Sequence, residues 1–312
     1  MVLPERDTMS ATVAADPIYA VNDAERQAYS RDGAVLLKRV LQGPALARLT
    51  RGLDAVHADP DGRFTRVKGA DGEGLTVIGQ CSSLANPDLA ALVLGGGLAR
   101  IAGELMGVSS AQLILDQMFY KEAGRIVPTP WHQDTPFLCV RGTDMARVWV
   151  SADPSPRAVT VQLVRGSHRW NVVYDTRSDA QSGVAMPTGQ SRFFYDGIGD
   201  ARLPPSPDIE RWRDSFDILT FDVEPGDAVV FQGNMLHGAG GAAHFPHARR
   251  AFATMWGGPD LRYHHAPGAT MPTPGPDAGP DAGAALRHGA RIAEYPQTFP
   301  LCWRADATGQ GG

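Results

Sequence analysis

The sequence predicts a mainly β protein, an antiparallel sandwich or jelly roll with supporting helices. Its 312 residues include 35 glycines and 24 prolines, which favour many turns and short strands over a helical bundle. Helical periodicity of apolar residues is confined to the front of the chain, up to about residue 110. From residue 111 onward, short apolar runs alternate with turn signals, as is typical of antiparallel β folds.

The composition is that of a soluble globular protein, with 43% hydrophobic and 20% charged residues. The length allows one large domain or two small ones, and we expect a single domain over residues 1–312. The net charge of −5 argues against a nucleic-acid-binding stripe or a polybasic membrane patch. No apolar run predicts a membrane span, and nothing indicates the oligomeric state.

Two features predict a cytoplasmic location. Residues 1–17 carry several charges and lack an apolar stretch, so they do not look like a signal peptide. The three cysteines, Cys81, Cys139 and Cys302, are scattered and form no CxxC motif. This usage is typical of a reduced protein without a disulfide framework.

The first elements follow a loose arm expected over residues 1–20. Asn22, with Glu25 three residues later, predicts a capping box that opens a helix through about Ser30. The apolar run at 34–38 then predicts a short strand.

Two further helices are predicted in the front third. Gly43-Pro44 begins one of them, and Asn86-Pro87 begins another that reaches about Met106 with an interruption at 95–97. Residues 63–80 are rich in turn signals and give no clear assignment. The helix from Gly43 has apolar residues at helical spacing, namely Leu46, Leu49, Leu53 and Val56.

The β region is expected to form the core over residues 111–260, after an α-rich support over 1–110. Residues 171–216 form a long insertion, which we expect to act as a lid or binding loop. The predicted strands are 112–121, 131–140, 146–152, 159–164, 218–223, 228–232 and 250–256.

Residues 261–312 are predicted to be a C-terminal extension. Its segment 264–283 is rich in proline and glycine and is expected to be a surface loop. Residues 284–304 are expected to pack back on the core through Phe299, Leu301 and Trp303.

The stretch from Trp131 to Phe137 holds the first chemical signal, a histidine and an aspartate two residues apart. In a strand, side chains two apart point to the same face, so His132 and Asp134 would converge and Gln133 would point away. A neutral imidazole and a carboxylate make half of a metal site or an acid–base pair. Such a triplet also arises by chance, so further partners are required.

His237 supplies a candidate partner. It follows the predicted strand 228–232 and precedes a glycine. In a jelly roll it can face His132 and Asp134 across the barrel mouth. Two imidazoles and one carboxylate then form the facial triad of non-haem Fe(II) enzymes. The alternative is a turn histidine beside a strand.

Arg249 and Arg250 open the next predicted strand. An oxygenase that uses 2-oxoglutarate needs a cation for the distal carboxylate, and arginine presents a charged planar fork. Adjacent strand residues point to opposite faces, so at most one of the two is expected to be buried. The alternative places both on a solvated edge.

In chain order these motifs resemble the phytanoyl-CoA dioxygenase family of Fe(II)/2-oxoglutarate-dependent oxygenases, over roughly residues 22–260. The resemblance implies a double-stranded β-helix (jelly-roll, cupin-like) core with N-terminal helices, and Fe(II), 2-oxoglutarate and O2 as cofactors. The matching residues are His132-Gln-Asp134, Trp149, Arg165-Gly-Ser-His168, Pro225-Gly-Asp227, Phe231, His237-Gly and Arg249.

The resemblance also implies residue roles. His132, Asp134 and His237 match the iron ligands, and Arg249 matches the arginine that binds the distal carboxylate of 2-oxoglutarate. Arg250 is the fallback, because the spacing from His237 has one extra residue.

Three more residues are cosubstrate candidates by the same resemblance. Trp149 matches a family tryptophan near the cosubstrate. Gln117 and Lys121 lie on the preceding predicted strand, where a polar residue often contacts the cosubstrate, and Lys121 is equally compatible with an exposed position.

The implied function is hydroxylation of a small organic molecule, with 2-oxoglutarate converted to succinate and CO2. The carboxylate at Asp134 argues against halogenation, whereas desaturation, epoxidation and ring closure remain open. Two other classes also remain: a non-catalytic cupin-like binding protein, and a metal enzyme without cosubstrate such as an isomerase or hydrolase. Aromatic residues in and beside the insertion favour an apolar or ring-containing substrate: Trp170, Tyr174, Phe193, Phe194, Tyr195 and Trp212.

Overall fold

The computed structural model describes residues 19–59, 64–68, 74–175, 203–265, 272 and 286–305. Within these ranges the helices are α1 (Asp23–Asp32), α2 (Gly43–Ala58), α3 (Ser82–Ala85), α4 (Pro87–Leu94) and α5 (Gly97–Met106). The first eight strands are β1 (Ala34–Leu37), β2 (Phe64–Val67), β3 (Thr76–Gln80), β4 (Ser110–Lys121), β5 (Gly124–Ile126), β6 (Thr129–His132), β7 (Val140–Arg141) and β8 (Met145–Ser151). The others are β9 (Val161–Val164), β10 (Ile218–Thr220), β11 (Ala228–Gln232), β12 (His237–Ala239), β13 (Ala242–Phe245), β14 (Arg249–Gly257), β15 (Arg262–Tyr263) and β16 (Leu301–Arg304).

Two antiparallel sheets form the sandwich. The larger sheet has the order β1-β11-β8-β14-β4-β3-β2, with β16 also beside β4. The smaller sheet has the order β10-β9-β12-β6, and two short ribbons, β13-β5 and β15-β7, complete the described strands. The predicted mainly β fold with a jelly-roll core and N-terminal helices is therefore confirmed.

The larger sheet is covered on both faces, as the alternation of side chains along β8 shows. Val148 and Val150 pack in one cluster with helix residues such as Leu53. Trp149, between them, packs in a separate cluster with Leu163 of the smaller sheet. Alternate strand residues point to opposite faces, so odd-numbered residues of β8 face the interior of the sandwich. That interior holds the candidate site.

The first helix begins and ends as its sequence predicts. The amide of Glu25 donates to Asn22 Oδ1 over 3.0 Å, and the amide of Asn22 donates to Glu25 Oε2 over 2.9 Å, which is a complete capping box. The helix ends at Gly33, whose φ of 84° is left-handed. A Cβ at Gly33 would lie 2.3 Å from Nδ1 of His168, so both backbone and packing require glycine.

Residues 63–80, which gave no clear assignment, contribute β2 and β3 to the edge of the larger sheet. The pairing of β3 with β4 supplies the structure that local propensity does not. The prediction of one strand over residues 131–140 is wrong in part. The structure has the end of β6 there, then a short 3-10 helix at Thr135–Phe137, and then the start of β7.

The C-terminal segment packs on the core largely as predicted. Phe299 is fully buried and Trp303 is nearly so, but Leu301 is 43% exposed, so the prediction is wrong for Leu301. Leu301 and Trp303 are two residues apart in β16, and regular alternation would place them on one face. A register shift between them, where β16 pairs with β4, puts them in different environments.

Several predicted segments lie wholly or partly outside the described residues. They are the N-terminal arm up to residue 18, positions 176–202 of the insertion, and most of the proline-rich loop at 264–283.

One stretch, Pro87–Met106, is long and apolar enough to cross a membrane by length and composition alone. It comprises α4 and α5, and half of its most apolar window is buried. Leu92, Leu98 and Ile101 of this stretch pack in the core between the helices and the larger sheet. A buried core helix passes the same test of length and hydropathy, so this stretch is weak evidence for a membrane span.

We predict that docking of the C-terminal segment depends on Gly103 in α5. A Cβ there would lie 2.2 Å from the ring of Trp303, so Gly103→Ala should lower the free energy of unfolding by about 1–3 kcal/mol. Gly97→Ala, in the same helix, meets no atom within 4 Å and should be neutral or stabilising. Urea unfolding of both variants checks this, and equal effects would contradict it.

Candidate metal centre

His132 and Asp134 are brought together by a turn, not by a strand. The strand β6 ends at His132. Asp134 has φ −73° and ψ −33°, a helical conformation that leads into the 3-10 helix Thr135–Phe137. The prediction that alternation along one strand aligns the two side chains, with Gln133 pointing away, is therefore wrong in its reason. The two side chains still converge, because the chain turns directly after the histidine.

His237 lies beside His132 in the same sheet. It begins β12, and its Cα is paired with His132 across the β12–β6 ladder. The two imidazole centroids are 4.2 Å apart, with 48° between the ring planes. His237 follows the strand β11 (Ala228–Gln232) as predicted, but the expectation that it faces His132 across the barrel mouth is wrong, because it begins a strand of its own that pairs with β6. Pairing of β12 with β6 places the two histidines directly side by side.

These three side chains form a compact set of potential metal ligands. One ligand atom from each lies within 4.8 Å of the other two. Asp134 Oδ1 is 3.8 Å from Nε2 of His132 and 3.8 Å from Nε2 of His237. In the part of the chain that the structure describes, no other group of three or more His, Cys, Asp or Glu residues fits a metal ion.

Backbone carbonyls set the orientation of both imidazoles. Nδ1 of His132 is 2.8 Å from the carbonyl oxygen of Pro130, and Nδ1 of His237 is 3.1 Å from that of Met235. A carbonyl accepts only, so each Nδ1 carries the proton and each Nε2 keeps its lone pair. Both Nε2 atoms then face Asp134 as neutral nitrogen donors, the form that a metal requires.

The pKa values favour the same protonation states. Burial is the largest cause that lowers the pKa of His132 and of His237, and the pKa of His237 falls to about 3. Burial alone would raise the pKa of Asp134, but its interactions with Arg147, the largest opposing influence, and with the two histidines outweigh it, and the pKa is lowered. At neutral pH the set is therefore two neutral imidazoles and one carboxylate.

Arg147 is a site residue that the sequence reasoning missed. It is buried, and its Nη1 donates to Asp134 Oδ2 over 2.9 Å. Its Nη2 donates to Oε1 of Gln117, one of the predicted cosubstrate residues. A signal was present in the sequence, since an arginine stands in an apolar strand two residues before Trp149 and so shares its face.

The two candidate arginines occupy opposite faces of β14. Arg249 is 3% exposed, its Nη1 donates to the carbonyl of Val159, and its buried Nε has no hydrogen-bond partner among the described residues. Arg250 instead makes ion pairs with Asp153 at 2.6 Å and with Asp54 at 2.8 Å. Arg249 is therefore the buried cation with bonding capacity left.

Arg249 keeps its charge at neutral pH, since burial lowers its pKa only to about 10. Its guanidinium carbon lies 5.6 Å from the ring centroid of Trp149, a cation–π contact. Lys121 is paired with Arg249 across the β14–β4 ladder and donates to the carbonyl of Val127 over 2.6 Å. Burial, followed by the charge of Arg249, pushes the pKa of Lys121 well below its usual range.

Gln133, between the two predicted ligands, joins three chain segments. It is buried, and its Nε2 donates to the carbonyls of Val172 at 3.0 Å and Asn234 at 2.8 Å. Its Oε1 accepts from the amide of Tyr174 at 2.9 Å. The loop before His237 is thereby tied to the turn that carries Asp134.

The sequence matches the model of one protein family, phytanoyl-CoA dioxygenase, over residues 29–250. This match covers well over half of the chain. No curated protein matches the chain at a significant level.

Solved structures share the fold at low sequence identity. The non-haem α-ketoglutarate-dependent epimerase SnoN from nogalamycin biosynthesis matches with a TM-score of 0.62 and 21% identity, over 89% of this chain and 97% of that chain. The carbocyclase SnoK from the same biosynthesis matches with 0.63 and 19%, over 90% and 96%. EctD from S. alaskensis in its apoform matches with 0.59 and 17%, over 80% and 81%.

We predict that Gln133→Leu destabilises the fold by about 2 kcal/mol or more, because it strands two buried carbonyls and one amide without partners. Gln162→Leu is the control, since among the described residues that amide bonds only to Arg213. Chemical denaturation measures both. A smaller effect at Gln133 than at Gln162 would contradict the role given to Gln133.

Proposed function

This chain belongs to the phytanoyl-CoA dioxygenase family of Fe(II)/2-oxoglutarate-dependent oxygenases, and we propose that it hydroxylates a small organic molecule. Its cofactors are Fe(II), 2-oxoglutarate and O2. In the proposed reaction 2-oxoglutarate is converted to succinate and CO2. Family membership as an enzyme sets aside the non-catalytic binding protein.

We propose His132, Asp134 and His237 as the iron ligands. The observation that carries this is the donor set, two imidazoles with fixed tautomers and one carboxylate within 4.8 Å of one another. Such a set leaves coordination positions open and suits non-haem Fe(II). When bound, Fe(II) with 2-oxoglutarate supplies the O2-dependent oxidation of a C–H bond.

The residues around these ligands keep them in a binding form. The Nδ1 hydrogen bonds hold both rings in place, and the phenyl ring of Phe231 lies 4.8 Å from the imidazole of His237. Leu163, paired with His237 in the ladder, is fully buried. This apolar lining excludes water from the nitrogen donors and favours neutral imidazoles.

We propose Arg249 as the residue that binds the distal carboxylate of 2-oxoglutarate, with Trp149 holding its guanidinium. A buried cation without an anion is costly, and no acidic partner for Arg249 is present among the described residues. Lys121 is a second basic group at this position. Gln117 stays a proposed cosubstrate-side residue whose oxygen accepts from Arg147.

A second candidate is another oxidation with the same cofactors, such as ring closure, desaturation or epoxidation. Ring closure is favoured by one of the similar structures, since SnoK is described as a carbocyclase. For location we propose the cytoplasm, because the described cysteines form no disulfide with one another. The proposed partner is a small-molecule substrate.

The proposed hydroxylation predicts substrate-dependent succinate release with one atom of 18O2 in the product. Ring closure or desaturation also releases succinate but adds no oxygen to the product, whereas epoxidation adds one oxygen atom and is told from hydroxylation by loss of the double bond in the NMR spectrum of the product. Screening small, ring-containing compounds by succinate release, followed by mass spectrometry under 18O2, separates the two. Asp134→Asn is the inactive control. Product formation without any 2-oxoglutarate consumption would contradict both candidates.

The neighbouring arginines provide a matched test of the cosubstrate site. Arg249→Gln should raise the dissociation constant of 2-oxoglutarate at least about 30-fold, because a buried carboxylate loses its charged partner. Arg250→Gln should leave it nearly unchanged while lowering thermal stability, because its partners are Asp153 and Asp54. Anaerobic calorimetry measures both constants, and a larger loss in Arg250→Gln would reverse the assignment.

A further inference from the structure

Arg147 is buried beside the proposed ligands, and no function assigned so far requires it. The guanidinium joins Asp134 on one side and Gln117 on the other, and its carbon lies 5.7 Å from the ring centroid of Phe119. These two hydrogen bonds commit the guanidinium to Asp134 and Gln117 rather than to solvent, since Arg147 is only 5% exposed. Its position is therefore fixed from three directions.

The two oxygens of Asp134 have different surroundings. Oδ2 accepts from Arg147 Nη1 at 2.9 Å, and Oδ1 is the oxygen 3.8 Å from both histidine Nε2 atoms. Asp134 sits in a turn after β6 has ended, so no strand pairing sets the rotation of its carboxylate. Arg147 belongs to β8, which is paired with β11 and β14 and lies inside the larger sheet. A rigid strand thus orients a ligand on a turn.

We propose that Arg147 is a positioning residue that holds Asp134 as a one-oxygen ligand, so that the second oxygen cannot take a coordination position that 2-oxoglutarate needs. This inference rests on the proposed iron site. A charge-assisted hydrogen bond to a guanidinium occupies Oδ2, and partners of this kind tune metal ligands. Without Arg147 the carboxylate is free to bind through both oxygens.

This positioning role predicts different effects on two affinities, the affinity for the metal ion and the affinity for 2-oxoglutarate. Loss of a purely structural residue would lower both together. Removing a cation beside a metal position does not weaken attraction for a divalent ion. A two-oxygen carboxylate, however, competes with the incoming chelating acid. Arg147→Gln should therefore retain metal binding and lose affinity for 2-oxoglutarate, and Arg147→Lys should restore it by returning the charge and a donor.

The test uses the full chain loaded anaerobically with Co(II), whose visible bands report coordination number. In Arg147→Gln, Co(II) affinity should equal or exceed that of the unaltered protein, with weaker bands from added coordination. The affinity for 2-oxoglutarate should fall by about tenfold and return to within about threefold in Arg147→Lys. Arg157→Gln, which removes an exposed ion pair to Asp222, is the control.

Two results would overturn the role of Arg147: an unchanged affinity for 2-oxoglutarate in Arg147→Gln, or an equal loss of Co(II) and 2-oxoglutarate binding. Absence of Co(II) binding in the unaltered protein would instead contradict the proposed metal site itself.

A second measurement tests the proposal in proteins other than the single variant Arg147→Gln. In Asp134→Gly the guanidinium of Arg147 faces the vacated carboxylate position. Added formate should then raise Co(II) affinity by about tenfold, and it should not do so in the double variant Asp134→Gly/Arg147→Gln. Equal rescue in both proteins, or rescue in neither, contradicts the proposal.

Discussion

The antiparallel pairing of β6 with β12 is the constraint on which the candidate site depends. It places His132 directly opposite His237. The hydrogen bonds from Nδ1 to the carbonyls of Pro130 and Met235 then turn both Nε2 atoms to one point. Asp134 completes the set from the turn that follows β6. The two imidazoles are thus positioned mainly by backbone.

The larger sheet contributes charge to this arrangement. Three of its basic residues, Lys121, Arg147 and Arg249, are buried. Of these three side chains, only Arg147 has an acidic partner among the described residues, and that partner is Asp134. Burial pushes the pKa of Lys121 well below its usual range, so Arg249 is the cation among these three that is buried without an anion, which is unfavourable. A dicarboxylate such as 2-oxoglutarate would supply that anion at Arg249, as proposed above, while Arg147 donates to Asp134.

Local signals in the sequence predicted the local structure well. The capping box at Asn22 and the apolar spacing in α2 were sufficient for those helices, because both depend on residues within a few turns. The motif order also singled out three side chains that the structure brings together, His132, Asp134 and His237, and the buried arginine of the 249–250 pair. The turn at Asp134, the strands β2 and β3, and Arg147 were not predicted. Each depends on partners that are distant in sequence, which periodicity does not encode.

Iron held by His132, Asp134 and His237, with 2-oxoglutarate held by Arg249, can be located by anomalous diffraction at the iron edge, from crystals prepared anaerobically with Fe(II) and 2-oxoglutarate. We expect one strong peak bonded to both Nε2 atoms and to Asp134 Oδ1, with the distal carboxylate of 2-oxoglutarate on the guanidinium of Arg249. A peak at other side chains, or a cosubstrate carboxylate bound away from Arg249, would contradict this expectation.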